Sequence, residues 1–159
     1  MRIISLCHLL FTKIYGIIII NYYAPKGDIT MAITEAVENY LETILILSKA
    51  QPDVHAIDIC SYLGYSRPTV SIILKKMKEE GLVSVDGNNH ITLTDAGRSV
   101  AERIYDRHST LSEFFMLLGV KKDQALEDAC KVEHDLSDET YTLLKAHYLK
   151  LVGGQNGKV

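Results

Sequence analysis

The feature that most constrains this chain is a pair of short amphipathic segments joined by a tight turn between residues 56 and 81. The first segment, 56–63, ends at Gly64, and the second begins with Ser66 as its cap and stops at Gly81. Small or apolar residues stand where two such helices must touch: Ile59, Cys60, Leu63, Val70, Ile73, Leu74 and Met77. This spacing is typical of a helix-turn-helix, although an ordinary hairpin of two helices fits it equally well.

Two short alternating segments follow the second helix directly. Residues 82–85 and 90–93 have strand character, and between them lies a turn containing Asp86-Gly87. A hairpin in this place is typical of a wing. The sequence therefore predicts a mainly α protein, with a winged helix-turn-helix DNA-binding domain over residues 31–95 and an all-helical domain over residues 96–152.

The outward face of the second helix has side chains suited to DNA. Short hydroxyls and Arg67 at its beginning can reach base edges, whereas the two lysines suit phosphates. An isoleucine in the middle of this face predicts contact with a thymine methyl group. The net charge of the chain is −3, so DNA contact must come from this local face. The candidate DNA-binding residues are Ser66, Arg67, Pro68, Thr69, Ser71, Ile72, Lys75 and Lys76.

The second half of the chain has metal-ligand side chains at helical spacing. Cys130, Glu133 and His134 stand at positions i, i+3 and i+4 of a helix that opens near Asp123, so they should share one face. Thiolate, carboxylate and imidazole together suit a first-row divalent ion better than magnesium or calcium. A buried cysteine beside a surface Glu-His pair is the alternative.

A long helix capped by Thr94-Asp95 should precede this one. Its apolar stripe is Val100, Ile104, His108, Leu111, Phe115 and Leu118. A histidine on such a stripe is more often a core residue than a ligand. Ser137 should cap a last helix, before a flexible tail at 153–159, with the stripe Tyr141, Leu144, Tyr148 and Leu151.

The first amphipathic helix, 35–49 with Thr34 as its cap, has two faces of interest. Its core stripe is Val37, Tyr40, Leu41, Ile44 and Ser48. Asn39 and Glu42 lie opposite this stripe together with Ile46. An isoleucine there indicates that something covers this second face.

Five segments in order, ENYLETI, SRPTVS, ITLTDAGR, YDRH and EDACKVEHDLS, resemble the metal-dependent repressors typified by the diphtheria toxin repressor and the manganese transport regulator. The resemblance covers about Ala36 to His147. It implies a homodimeric cytoplasmic transcription factor, without enzymatic activity, membrane association or a small organic substrate. Such proteins bind palindromic operators in double-stranded DNA, commonly of metal-uptake genes, when Mn(II) or Fe(II) activates them.

Carried over by position, the resemblance implies a set of metal ligands in both halves of the chain. Asn39 stands where manganese-type members have aspartate and iron-type members have methionine. Cys130 matches the iron type, whereas Glu42 matches the manganese type, so the choice of metal stays open. Ser112 and Leu126 replace the glutamate and histidine of the iron-type ancillary site. The implied ligands are Glu42, His108, Cys130, Glu133 and His134, with Asn39 as a sixth candidate.

Two other functions fit parts of the sequence. A winged-helix regulator that responds to an organic ligand or to oxidation of Cys130 explains the first half, but gives no reason for Glu133 and His134 beside the cysteine. An enzyme that uses Cys130 as nucleophile and His134 as base lacks recognisable oxyanion donors. Because the three cysteines are an odd number without framework spacing, a disulfide scaffold is disfavoured and a reducing cytoplasm is expected.

The first thirty residues are strongly apolar, with a single acid. Lys13 interrupts the apolar stretch needed for a membrane span, and no small-residue cleavage site of a signal peptide follows. The codons for Lys26-Gly27-Asp28 can accommodate a bacterial ribosome-binding sequence upstream of Met31. We therefore predict that Met31 is the true start and that residues 1–30 are a translated leader. If the intact mass of the native protein corresponds to a chain that begins at Met1, this prediction is wrong.

Overall fold

The computed structural model describes residues 34–155, which form six helices and one two-stranded antiparallel sheet. The chain divides into two compact units, the first ending at Glu102 and the second beginning at Arg103. Among the described helices, none is both long and apolar enough to cross a membrane. The elements in chain order are α1 (Glu35–Ala50), α2 (Ala56–Leu63), α3 (Arg67–Glu79), β1 (Val83–Val85), β2 (Ile91–Leu93), α4 (Asp95–Leu117), α5 (Lys122–Val132) and α6 (Asp138–Gln155).

Helix α1 forms because acidic residues occupy its first turn and apolar residues recur on one side. Thr34 is its N-cap residue, and the helix ends where Gln51 returns to an extended backbone. The predicted stripe is buried except for Ser48, which is exposed and donates its hydroxyl to the carbonyl of Leu45 at 2.8 Å. The buried apolar side chains of α1 are Val37, Tyr40, Leu41, Ile44 and Leu45.

Helices α2 and α3 are the predicted helix-turn-helix. Gly64 ends α2 in the left-handed region with φ of 72°, a conformation that suits glycine. Ser66 caps α3, where its hydroxyl oxygen accepts a hydrogen bond from the backbone N–H of Thr69 at 3.4 Å. The side chains that face the core of this unit are at most 8% exposed: Ile59, Cys60, Leu63, Val70, Leu74 and Met77.

The wing is an antiparallel pair of short strands. Val83 pairs with Leu93 and Val85 with Ile91, so that Val83 and Ile91 bury their side chains on one face. The backbone N–H of Ile91 also donates to the carbonyl of Val54 at 2.8 Å, which ties the wing to the segment before α2. The helix-turn-helix and wing thus form one packed unit, as the sequence predicts.

The wing joins the start of α4 through a close backbone approach. The Thr94 hydroxyl donates to the carbonyl of Gly81 at 2.6 Å, and the N–H of Gly97 donates to Thr94 Oγ1 at 3.2 Å. A Cβ atom on Gly97 would lie 2.0 Å from the carbonyl oxygen of Leu82. Only glycine therefore fits this position of the helix.

The second unit contains the end of α4 together with α5 and α6. Its buried apolar side chains are Ile104, Leu111, Ala125, Ala129 and Tyr141. Two members of the predicted stripes are instead exposed, Leu118 by 63% and Leu151 by 38%. Leu118 lies beyond the last residue of α4, just before Gly119 turns the chain with φ of 93°, so the helical spacing no longer applies to it. Helix α6 continues to Gln155, into the segment predicted as a tail.

We predict that Gly97→Ala lowers the free energy of unfolding by about 1–3 kcal/mol, because the added methyl group overlaps a backbone carbonyl that side-chain rotation cannot move. Urea denaturation followed by circular dichroism measures the change. Gly87→Ala is the matched control, since a Cβ atom there meets nothing within 4 Å. Equal stability of the two variants would contradict the close approach.

Candidate metal centre and DNA-reading surface

Helix α3 presents the predicted DNA-reading face to solvent. All eight predicted residues are exposed, whereas Val70 and Leu74, on the other side, are buried. Ile72 is 59% exposed in the middle of this face, where the sequence predicts contact with a thymine methyl group. Lys75 forms an ion pair of 3.9 Å with Glu79 one turn later.

Ser66 and Thr69 are arranged differently from the other residues of this face. Their hydroxyl oxygens are 2.8 Å apart and share a hydrogen bond, and Ser66 also caps the helix. Ser66 therefore already contributes to the start of α3. Arg67 and Ser71 project from the same end of the helix, the end that enters the major groove in helix-turn-helix proteins.

The tip of the wing is ordered by one carboxylate. Asp86 Oδ1 accepts hydrogen bonds from the backbone N–H groups of Asn88 and His90, both at 2.9 Å. The bond from His90 is the main cause that lowers the pKa of Asp86 below its usual value, and the bond from Asn88 adds to it. The residue with positive φ in this turn is Asn89, at 62°, rather than Gly87.

Two predicted ligands of the second unit, His108 and His134, meet at Glu133, which is 0% exposed. Its Oε2 atom lies 2.6 Å from His108 Nδ1, and its Oε1 atom lies 3.4 Å from His134 Nε2. Oε1 has no hydrogen-bond partner among the residues that the structure describes. The structure thus brings together three of the predicted ligands, with His108 and His134 on either oxygen of the Glu133 carboxylate.

This arrangement fits a divalent cation. A buried carboxylate oxygen without a donor is costly, and native proteins rarely leave one uncompensated. Imidazole nitrogens and carboxylate oxygens are ligands that first-row divalent metals accept. A cation held among these atoms would satisfy the orphaned oxygen and offset the buried negative charge.

The local structure that carries Glu133 and His134 differs from the prediction. The expectation that both lie within the same helix as Cys130 is wrong, because α5 ends at Val132. Glu133 caps that helix with φ of −61° and ψ of −33°, and its N–H still donates to the carbonyl of Ala129. His134 lies in the turn that follows. Cys130 is half-buried near the end of α5.

The remaining predicted ligands belong to α1 in the first unit. Glu42 is 7% exposed, and Asn39 and Ile46 are half-buried, so this face of the helix is covered as the isoleucine indicated. Glu38 on the same helix is also buried, at 8% exposure. Glu38 lies in the first turn of the helix, where an acid is usually solvated, so the sequence gives no sign of its burial.

Sequence reasoning missed Arg107, the residue before His108. Its side chain is only 4% exposed and donates from Nη1 to the carbonyls of Glu133 at 2.9 Å and Leu136 at 2.7 Å. Its Nη2 atom donates to the carboxylate of Asp138. The one signal in the sequence was a charged residue beside a histidine on an otherwise periodic helix.

A second polar cluster lies nearby in the same unit. Asp106 accepts hydrogen bonds from Lys145 and from the Tyr141 hydroxyl, each at 2.6 Å. Burial raises the pKa of Asp106, but these hydrogen bonds together outweigh burial and hold its pKa below the usual value. The cluster joins α4 to α6 inside the second unit.

Comparison with known proteins agrees with both units. Residues 32–91 match the iron dependent repressor N-terminal DNA binding domain, and residues 94–151 match the iron dependent repressor metal binding and dimerisation domain. The transcriptional regulator MntR of Escherichia coli is 32% identical over 106 residues, which are 67% of this chain and 68% of that protein. The chain belongs to the iron-dependent repressor family.

Other members of the iron-dependent repressor family are similarly related. The iron-dependent repressor IdeR of Mycobacterium leprae is 30% identical over 67% of this chain and 47% of its own length. A solved manganese-dependent transcriptional repressor in complex with manganese is 31% identical, with a TM-score of 0.64 over 70% of this chain. The chain spans 52% of that structure, about half its length.

We predict that the contribution of Asp86 to stability depends on pH. Because its pKa is lower in the folded than in the unfolded chain, the contribution is present at neutral pH and is lost as the pH falls below about 4, through the folded-state pKa. Asp86→Ala removes the carboxylate. The urea midpoints of the two proteins should differ at pH 7, and the difference should shrink as the pH falls below about 4; a constant difference would contradict the assignment.

Proposed function

We propose that this chain is a divalent-metal-dependent, DNA-binding transcriptional repressor, with Mn(II) or Fe(II) as corepressor. The observation that carries the proposal is the buried carboxylate of Glu133, which lies between two histidines and has one oxygen without a hydrogen-bond donor. The same chain exposes a helix-turn-helix face with hydroxyls, lysines and Ile72. A metal-sensing half and a DNA-reading half in one chain support regulation of metal-homeostasis genes.

The proposed metal ligands come from both units. His108 and Glu133 already face each other at 2.6 Å, and His134 lies within 3.4 Å of the same carboxylate. We assign Cys130 and Glu42 to the same ion, with Asn39 as a sixth ligand. A metal held by these residues would supply a positive charge that offsets the acids. Cys130 and His134 act as ligands here, not as nucleophile and base of an enzyme.

The proposed mechanism depends on where the ligands lie along the chain. Glu42 and Asn39 belong to the helix that packs in the DNA-binding unit, whereas Glu133 and His134 belong to the unit assigned to dimerisation. Under this proposal, binding of one ion by ligands from both parts of the chain would orient each reading head relative to the dimer axis. Two such heads present their α3 helices to successive major grooves about 34 Å apart, as a palindromic operator requires.

The chain's own residues then supply the recognition of double-stranded DNA. Arg67, Thr69 and Ser71 contact base edges, and Ile72 contacts a thymine methyl group. Lys75 and Lys76 contact phosphates, while Pro68 sets the start of the helix. We propose the cytoplasm as the protein's place of action. Metal favours operator binding to the extent that the ligands bind it more tightly in the DNA-competent state.

The proposed ligands do not all favour the same metal. The thiolate of Cys130 suits softer ions such as Fe(II), whereas the carboxylates of Glu42 and Glu133 and an amide oxygen from Asn39 suit Mn(II). Both ions are therefore used in the experiments below.

We predict that Glu133→Gln or His134→Ala reduces metal-stimulated DNA binding by at least about tenfold and leaves a folded dimer, because each variant removes a ligand. Fluorescence anisotropy measures binding to a genomic DNA fragment that the wild-type protein retains in the presence of metal. Light scattering measures the molar mass and so reports whether the dimer is intact. Glu139→Gln, an exposed carboxylate in the first turn of α6, is the matched control. The ligand assignment is wrong if both variants keep the wild-type response to metal.

A further inference from the structure

The turn that carries Glu133 and His134 is held by a buried arginine. The turn connects α5 to α6, and Asp135 and Leu136 donate their N–H groups to the carbonyl of Val132. The carbonyls of Glu133 and Leu136 are directed instead toward the guanidinium of Arg107, at 2.9 and 2.7 Å. One side chain on α4 thus holds both ends of a four-residue segment.

Arg107 and His108 hold the same glutamate at two points. His108 contacts the carboxylate of Glu133, whereas Arg107 contacts its backbone carbonyl. Because the two residues are neighbours on one helix, α4 fixes the main chain and the side chain of Glu133 together. A shift of the turn relative to α4 would move the carboxylate away from His108.

The guanidinium is itself held in one orientation. Its carbon atom lies 5.1 Å from the centre of the Tyr141 ring, a distance at which a cation is attracted to the ring face. The Tyr141 hydroxyl donates to Asp106 at 2.6 Å and accepts from the Thr110 hydroxyl at 3.1 Å, which fixes the ring. Asp138 accepts from the remaining terminal nitrogen of Arg107.

We infer that Arg107 is a positioning residue for the metal centre, one that sets the place of the Glu133 and His134 ligands without touching the metal. This inference rests on the proposed function of that site. The planar fork of an arginine can donate to two carbonyls and a carboxylate at once, whereas a lysine ammonium acts from a single nitrogen. Mutation of groups that orient ligands in this way commonly lowers metal affinity by about 10- to 100-fold.

The test compares Arg107→Gln, Arg107→Lys and the wild-type full-length chain. Competition with a fluorescent chelator measures the affinity for Mn²⁺, and the visible absorption of Co²⁺-loaded protein reports the ligand geometry. Circular dichroism and urea denaturation without metal measure folding separately. Arg98→Gln is the matched control, because Arg98 lies on the same helix, is half exposed and pairs with Glu102 at 3.8 Å.

We expect Arg107→Gln to fold, to bind Mn²⁺ about 10- to 100-fold more weakly and to change the Co²⁺ spectrum. Arg107→Lys should recover part of the affinity, and Arg98→Gln should match wild type. If Arg107→Gln does not fold, Arg107→Lys decides, with weaker binding and an altered spectrum as the supporting result.

Wild-type affinity and spectrum in a folded Arg107 variant would overturn the inference, even if that variant were less stable, because Arg107 would then have only a structural role. Failure of the wild-type chain to bind Mn²⁺ or Co²⁺ would instead overturn the proposed function, and this inference with it. The wild-type measurement therefore separates the two failures.

Discussion

The buried carboxylate of Glu133 is the group on which the account of this protein depends. A negative charge that is fully enclosed by protein is destabilising unless hydrogen bonds or a positive charge compensate it. One of its oxygens lies 2.6 Å from His108 Nδ1. The other lies 3.4 Å from His134 Nε2 and has no hydrogen-bond partner among the described residues. We propose that a divalent metal cation compensates it, because imidazole nitrogens beside a carboxylate are ligands that first-row divalent metals accept.

The same reasoning shows why metal binding at this site depends on the position of the turn that carries Glu133. The free energy gained when a cation compensates Glu133 is available only if the turn at 133–136 holds the carboxylate toward His108. Arg107 provides that restraint through backbone carbonyls, so it adds no ligand and removes none. The proposed ligands and Arg107, which orients the turn that carries two of them, are thus different residues. A substitution can therefore change one without the other.

The DNA-binding unit relies on a different constraint, the close contact between the wing and the start of α4. Thr94 bonds to the backbone after α3, and Gly97 allows α4 to approach the carbonyl of Leu82. These contacts join the helix-turn-helix, the wing and the first turns of α4 into one unit. The reading face of α3 is therefore presented by a packed scaffold, on which Ile72 can stay exposed without weakening the core.

Much of the first unit could be predicted from the sequence, because its signals are local. Ser66 caps α3, Gly64 ends α2, and the alternation around Asp86 marks the wing. Helical spacing was less reliable near helix ends, and it placed Leu118 on a stripe that the helix does not reach.

The metal centre was harder to predict because its geometry depends on contacts between distant segments. The sequence predicted Glu133 and His134 as ligands, but placed them on a helix that ends before them. Arg107 and the burial of Glu38 left no local pattern, since a charged residue on a helix is usually solvated. Such residues become recognisable only when the fold shows which carbonyls or side chains they meet.

The central claim is that metal controls DNA binding, and retention of genomic DNA fragments tests it most directly. The full-length protein would be incubated anaerobically with genomic fragments and with Mn(II), Fe(II) or excess chelator, and the retained fragments would be sequenced. The account predicts that retention requires metal and recovers a palindromic sequence. Equal retention in chelator would contradict it, because the reading heads would then bind DNA without the metal centre.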